Sequence, residues 1–281
     1  MAKARASDGT REDGEEGRAR RDGTAATANA RAARREDASE RARDAMRRGN
    51  GANGREGRDA GRGVRVMLPL DCVARTTTRT TRETLAKALR SVADAGADGV
   101  MVDCWWGACE GERPRAYEWR GYLALCEMCR DAGLSVDVVL SFHACGDSVG
   151  DEGCEIGLPE WARGEPAREN MYADRRGNVT EEYLSLWGDE TRDARRGDRS
   201  PLECYRDFMA AFRAAFATFL TGSADAPPVI SQVIIGLGPC GELRYPSYRA
   251  GDGWHFPGVG EFQAFDERAR MSLAYLSLIH I

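Results

Sequence analysis

Four segments of the chain have the apolar, β-branched character of buried strands, at 64–70, 99–103, 134–142 and 229–237. Between them, apolar residues recur at helical spacing over 81–95, 121–129 and 201–219. Alternation of strands and helices predicts a parallel sheet, because right-handed crossovers return each strand in the same direction. The hydrophobic pattern therefore predicts an α/β fold, wound either as a barrel or as a doubly wound sheet.

Helix-breaking residues mark the ends of the predicted helices. The first helix ends at Gly96, the second stops at Gly133 and the third opens at Pro201. The stretch 146–198 differs from the rest, since it is rich in Gly, Pro and charge and has few periodic segments. An insertion of that length in a barrel is usually functional.

Each predicted strand is followed by a polar side chain of a catalytic type. Asp71 follows the first strand, Asp103 the second, His143 the third and Glu242 the fourth. Barrel enzymes carry their catalytic groups at the carboxyl ends of the strands. A dinucleotide-binding fold would need a glycine-rich turn after the first strand, and the loop 71–76 contains no glycine. The barrel is therefore the favoured interpretation.

Residues 1–62 differ in composition from the rest of the chain. They contain no Val, Ile, Leu or aromatic residue, so they cannot bury enough apolar surface to offset the entropy of ordering. We predict a disordered tail. It has 16 basic and 12 acidic residues, net +4, against −9 for residues 63–281, and this weak basic excess argues against a nucleic-acid arm. An organelle transit peptide and an unprocessed extension both remain open.

The chain has nine cysteines. Their odd number and irregular spacing favour reduced thiols over a disulfide framework. Cys126 and Cys129 form a single CxxC in a predicted helix, where helix-packing thiols are favoured over a zinc site. No secretory signal and no long apolar run occur, so we expect a soluble, intracellular protein of the cytoplasm or plastid, not a secreted one. We expect no metal, nucleic-acid or membrane partner.

Several long motifs resemble those of the β-amylases, in that family's order. They are DCWWG at 103–107, SFHACG at 141–146, VGD at 149–151 and GLGPCGELRYPSY at 236–248. The resemblance runs from about Val64 to about Ala274. It implies a (β/α)8 barrel of the TIM type and release of β-maltose, with inversion, from the non-reducing ends of starch-type α-1,4-glucans. It also implies no cofactor, and we expect a monomer at full length.

The resemblance implies roles for individual residues. Glu242 matches the general acid, which protonates the leaving oxygen. An acid in this role needs partial burial or a nearby negative charge to stay protonated near neutral pH. Positions that contact or support the substrate are matched by Asp103, His143, Asp151, Trp105 and Arg244.

Only part of the family pattern fits into this chain. A (β/α)8 barrel needs about 250 residues, and we expect only about the first four strand-helix units between Val64 and Ile281. The resemblance places the general base beyond residue 281. We therefore expect a tail over 1–62, the amino-terminal half of a barrel over 63–275, and a non-matching end, indicating truncation, over 276–281. Open sheet edges would make such a chain prone to aggregation.

Two other functions compete with that of a glucan hydrolase. A non-catalytic, β-amylase-like protein that binds glucan or regulates its breakdown would keep the same motifs without turnover, as would an inactive fragment without the base. An isomerase or metal-dependent barrel enzyme is disfavoured, because no carboxylate and histidine set has metal-ligand spacing.

Overall fold

The computed structural model describes residues 63–146, 153–164, 166–224, 226–243, 253–255 and 262–279. The predicted tail and two site residues, Asp151 and Arg244, lie outside these ranges, so the expectations for them stay predictions. None of the helices in the described ranges is long and apolar enough to cross a membrane.

Six strands occur in the described residues, and they form two sheets. The larger sheet is parallel, in the order β1-β2-β3-β6, and β4 and β5 form an antiparallel hairpin. The strands are β1 (Arg65–Met67), β2 (Gly99–Trp105), β3 (Ser135–Ser141), β4 (Met171–Ala173), β5 (Val179–Leu184) and β6 (Ile230–Gly236).

Helices connect the strands of the parallel sheet. The α-helices are α1 (Cys72–Arg75), α2 (Arg79–Asp94), α3 (Trp106–Cys109), α4 (Arg120–Asp131), α5 (Pro201–Ala215), α6 (Ala217–Thr221) and α7 (Glu267–Ile279). Short 3-10 helices occur at Glu160–Arg163, Ala167–Asn170, Leu186–Gly188, Ala194–Arg196 and Pro239–Gly241.

The predicted α/β class and the parallel pairing of the four predicted strands are confirmed. The sheet is open within the described residues, and no closed barrel is formed there.

Local capping explains why the predicted helices begin where they do. Thr78 and Thr81 form a reciprocal capping box at α2, and Ser200 and Glu203 form another at α5. Each box satisfies amide groups that a helix start leaves without a partner inside the helix. Pro201 occupies the first turn of α5, as predicted.

The ends of the predicted helices are also explained by neighbouring residues, with one exception. Gly96 and Gly133 have φ of +92° and +74° and lie one residue beyond the C-cap residues of α2 and α4, Ala95 and Ala132, where left-handed backbone favours glycine. The single helix predicted over 201–219 is interrupted at Phe216, which separates α5 from α6.

The two faces of the parallel sheet have different chemistry. The face toward the helices is apolar and belongs to the main core, through Val100, Val102, Cys104, Val136, Val138 and Leu140. The opposite face carries Asp103, Asp137 and Ser141, all buried. Arg65 Nε donates to Asp137 Oδ2 at 3.2 Å, which pairs one of these buried carboxylates. Polar side chains are thus collected on the face away from the helices.

The region 146–198 contains the β4–β5 hairpin, which the hydrophobic pattern did not predict. Asp174 organises its turn by accepting hydrogen bonds from the backbone amides of Arg176 and Asn178, both at 2.9 Å. The fully buried guanidinium of Arg196 donates to the carbonyl oxygens of Arg199, Ala162 and Thr191 at 2.9–3.1 Å. The described part of this region is therefore packed structure, in which the buried Arg196 guanidinium has its hydrogen-bond partners.

The expectation for the cysteines is wrong at one pair. Cys145 and Cys154 form a disulfide across the two ends of the segment that contains residues 147–152. The CxxC thiols of Cys126 and Cys129 are buried in the core, and burial raises the pKa of each to about 12. A thiol that keeps its proton is a poor metal ligand, which agrees with the packing role predicted for this pair.

The sequence predicted a buried strand over 229–237, and the structure contradicts the burial. In β6, Val233 and Ile235 remain 37% and 41% exposed. The cause is its position, because β6 pairs with β3 alone in the described residues and forms an edge of the sheet. An edge strand with exposed apolar side chains is a site for association between chains.

We predict that this edge drives self-association. Replacing both Val233 and Ile235 with Lys should weaken association of residues 1–281 by about tenfold or more, because lysines on an edge oppose strand pairing. Analytical ultracentrifugation over a concentration series measures the change. Leu202→Lys with Ala210→Lys adds equal charge at exposed positions of α5 and should have no effect. Equal association of the two double variants would contradict the prediction.

Candidate active site

The carboxyl ends of β2, β3 and β6 lie side by side. Trp105 pairs with Ser141 and Ser141 pairs with Gly236 in the parallel register. His143 follows β3 by two residues, and Glu242 follows β6 by six. The parallel register therefore brings the predicted site residues of three strands to one edge of the sheet.

Asp103 is fixed by two hydrogen bonds at its position in β2. Its side chain is buried, and its Oδ1 accepts a hydrogen bond of 2.6 Å from Ser141 Oγ. Its backbone carbonyl accepts from the Tyr122 hydroxyl at 2.9 Å, and that hydroxyl accepts from the Trp105 amide at 3.1 Å. Burial raises the pKa of Tyr122 well above its usual value, so the hydroxyl keeps the proton that it donates. Asp103 is thus held in one orientation.

Trp105 and His143 form an aromatic pair beside Asp103. Their ring centroids are 5.1 Å apart with an edge-to-face geometry, a favourable arrangement for aromatic rings. The Trp105 indole donates to the carbonyl of Leu70 at 2.7 Å, and the ring packs with Cys145 and Cys154. An aromatic ring and an imidazole at one edge can contact the apolar face and the hydroxyls of a sugar.

The turn that leads to Glu242 has an unusual backbone. Gly238, Cys240, Gly241 and Leu243 all have positive φ, of 76°, 54°, 72° and 49°. For a residue with a side chain this conformation costs of the order of 1–3 kcal/mol and persists only when neighbouring structure enforces it. The Leu243 amide donates to the carbonyl of Leu237 at 2.6 Å, which folds the turn back onto the end of β6.

Gly241 brings this turn against His143. A Cβ atom placed on Gly241 would lie 3.3 Å from His143 Cε1 and 3.2 Å from the Cα of Gly236. A side chain at this position would force His143 or Gly236 to shift by a few tenths of an ångström, and the left-handed φ of Gly241 also favours glycine. The close approach brings His143 against Gly241, the residue that precedes Glu242.

Glu242 is exposed, so the partial burial expected of a general acid is not found there. The other predicted residues divide into two groups. Asp103, Trp105 and His143 are brought together with the turn of Glu242, whereas Asp151 and Arg244 lie outside the described residues. In the described residues no group of three or more His, Cys, Asp or Glu side chains is placed to hold a metal ion.

Asp71, which also follows a predicted strand, is engaged elsewhere. It precedes α1 and forms an ion pair with Arg75 of that helix. This ion pair is a local contact, as is usual for an acidic residue at a helix start.

Sequence reasoning missed Glu182, a buried carboxylate on β5. Its Oε1 accepts a hydrogen bond of 2.8 Å from the Cys240 amide, and its backbone carbonyl accepts one of 2.7 Å from the Ala144 amide. No signal in the sequence pointed to it, because it lies in the region without clear periodicity, far along the chain from both partners.

The sequence pattern of glycosyl hydrolase family 14 matches residues 65–277, most of the chain. The chain belongs to glycosyl hydrolase family 14. Similar relatives are chloroplastic β-amylase 2 of Arabidopsis thaliana, 43% identical over 212 residues, and chloroplastic β-amylase 2 of Oryza sativa subsp. japonica, 44% identical over 224 residues. These alignments cover 75% and 78% of this chain but 38% and 39% of the relatives, so the chain spans about two fifths of their length.

A solved structure from the same group has a similar fold. The catalytic domain of β-amylase from Paenibacillus polymyxa superposes with a TM-score of 0.60 at 29% sequence identity, covering 75% of this chain and 45% of that domain. This family 14 member therefore has an α/β fold like that of part of a β-amylase catalytic domain.

We predict that Gly241→Ala destabilises the protein more than Gly133→Ala does, by about 1–3 kcal/mol. Both glycines have φ close to +73°, but an added Cβ at Gly133 has no atom within 4 Å, whereas at Gly241 it crowds His143 and Gly236. Chemical denaturation measures the two free energies of unfolding. Equal losses would show that the turn can move away from His143, contrary to the geometry described.

Proposed function

We propose that the carboxyl ends of β2, β3 and β6 hold the general acid of a glucan-hydrolysing centre. This centre acts on α-1,4-glucosidic bonds of starch-type polysaccharides. The observation that carries the proposal is the grouping of Asp103, the Trp105–His143 pair and the turn of Glu242 at the carboxyl ends of three adjacent strands. Membership of glycosyl hydrolase family 14 and the names of its relatives support the same reaction.

In the proposed reaction, Glu242 donates a proton to the glycosidic oxygen as the bond from that oxygen to the anomeric carbon breaks. A water molecule attacks the anomeric carbon from the opposite face, activated by a second carboxylate, and the product is β-maltose with inverted configuration. Asp103 accepts hydrogen bonds from sugar hydroxyls, and His143 donates or accepts one. Asp151 and Arg244 complete the substrate contacts in this proposal, and the second carboxylate lies beyond residue 281.

The proposal extends to the fold and the compartment. We propose that β1, β2, β3 and β6 are the first four strands of a (β/α)8 barrel, which is supported by their sequential parallel order and by the similarity to a β-amylase catalytic domain. The named relatives are chloroplastic, which favours the plastid over the cytoplasm. No cofactor is required, and the full-length protein is proposed to be a monomer.

One observation favours the alternative function, a glucan-binding protein without turnover. Glu242 is exposed, whereas a general acid normally lies in a partly buried site. Binding and turnover are therefore separated in the two experiments that follow.

We predict that residues 1–281 bind maltose and release none from soluble starch, because they hold one of the two carboxylates that inversion requires. Saturation-transfer NMR detects binding, and the anomeric proton signal detects β-maltose. Asp103→Asn should abolish binding, and Glu127→Gln, at an exposed position of α4, should leave it intact. Absence of binding by the unaltered chain, or equal binding by Asp103→Asn, would contradict the proposed site. Release of β-maltose would show that a base exists within residues 1–281.

In a chain that includes the second carboxylate, we predict that Glu242→Gln lowers kcat by at least about 10²–10⁴-fold, the usual contribution of general acid catalysis. Maltose affinity should be unchanged, since the amide keeps the shape of the side chain. Glu127→Gln again serves as the control. Turnover of Glu242→Gln near the unaltered rate would remove Glu242 from the acid role.

A further inference from the structure

The β4–β5 hairpin contacts both segments that carry the proposed catalytic groups, and one of its residues, Glu182, is bonded to both. The Glu182 carboxylate accepts from the Cys240 amide at 2.8 Å and lies 3.4 Å from the Cys240 thiol. The Glu182 backbone carbonyl accepts from the Ala144 amide at 2.7 Å. Cys240 precedes Glu242 by two residues, and Ala144 follows His143 directly. Glu182 is therefore bonded to the segments on both sides of the site.

Cys240 is a position that needs such a partner. Its φ of +54° lies in the left-handed region, which disfavours any residue with a side chain. The turn has glycine at positions 238 and 241 but not at 240. A hydrogen bond from a backbone amide to a carboxylate is stronger than one to a neutral acceptor, so it can hold the strained residue in place.

The burial of Glu182 also calls for an explanation. The side chain is 7% exposed, and among the described residues no cation forms an ion pair with it. A buried carboxylate without a counter-charge is costly for the fold. Its neighbour on β5, Glu181, is instead exposed and pairs with Arg163 at 2.9 Å. The hydrogen bond from the Cys240 amide offsets part of this cost, and it ties the buried carboxylate to the turn before Glu242.

We propose that Glu182 is a positioning residue for the glucan site. It fixes the backbone of Cys240 and thereby the direction in which Glu242 leaves the turn, while its own carbonyl keeps the His143 segment in register with that turn. This inference rests on the proposed function for its consequence in catalysis, but the hydrogen bond to Cys240 can be tested without any sugar.

The first arm of the test uses the Cys240 thiol as a reporter. Cys240 is half-buried, whereas the other free thiols in the described residues are buried, so iodoacetamide should modify Cys240 first. The rate of alkylation is measured by mass spectrometry of the peptide in the unaltered chain, Glu182→Ala, Glu182→Gln and the matched control Glu181→Gln. Glu182→Ala should react about tenfold faster, since it loses a charge-assisted hydrogen bond.

The second arm measures maltose affinity of the same proteins and, in a chain that turns over, kcat and KM separately. Glu182→Ala should lower kcat more than it raises KM, because a misdirected acid affects the transition state most. Glu182→Gln should restore most of both properties, since its amide oxygen can accept from the Cys240 amide. Glu181→Gln should behave as the unaltered chain.

The outcomes separate the two proposals. Unchanged alkylation of Cys240 in Glu182→Ala, or unchanged maltose affinity and kcat in that variant, overturns the positioning role. If Glu182→Ala does not fold, Glu182→Gln decides. The positioning role is also overturned if a folded Glu182→Gln has Cys240 alkylated as fast as in an unfolded chain and has lost its kcat. If Glu182→Ala exposes Cys240 while the unaltered chain binds no maltose, the contact with Cys240 stands and the proposed function fails.

Discussion

Parallel pairing of β2, β3 and β6 in one register is the constraint on which the site depends. Because Trp105 lies opposite Ser141, and Ser141 opposite Gly236, three strands far apart in sequence end at the same level. The bond from Ser141 to Asp103, the Trp105–His143 contact and the approach of Gly241 to His143 all follow from that alignment. A shift by one residue in any pair would turn these side chains to the opposite face of the sheet.

The hairpin of β4 and β5 also positions the segments that carry the site residues. Its own turn is fixed by Asp174, and it reaches the ends of β3 and β6 through Glu182. The sheet therefore sets where the functional segments begin, and the hairpin sets the path they take beyond the strands. The region 146–198 thus has a physical role through the hairpin, whereas the sequence indicated a role only by the length and composition of this region.

Features with local causes were predictable from the sequence. Gly96, Gly133 and Pro201 mark helix ends because capping and allowed φ depend on neighbouring residues. The positions of Asp103 and His143 followed from strand order together with a family resemblance. Burial of β6 was predicted wrongly, because burial depends on which element pairs with a strand and not on its composition.

Features with distant causes could not be predicted. Glu182 and Cys240 are separated by 58 positions, and the irregular spacing of the nine cysteines gave no sign that Cys145 and Cys154 form a disulfide. A structure of residues 1–281 with bound maltose tests the central claim most directly. A glucose ring should lie against Asp103 and the Trp105–His143 pair, with its glycosidic oxygen next to Glu242. Maltose bound only in the surface cavity between α1 and α4, which Arg82 and Arg120 help to line, would contradict it.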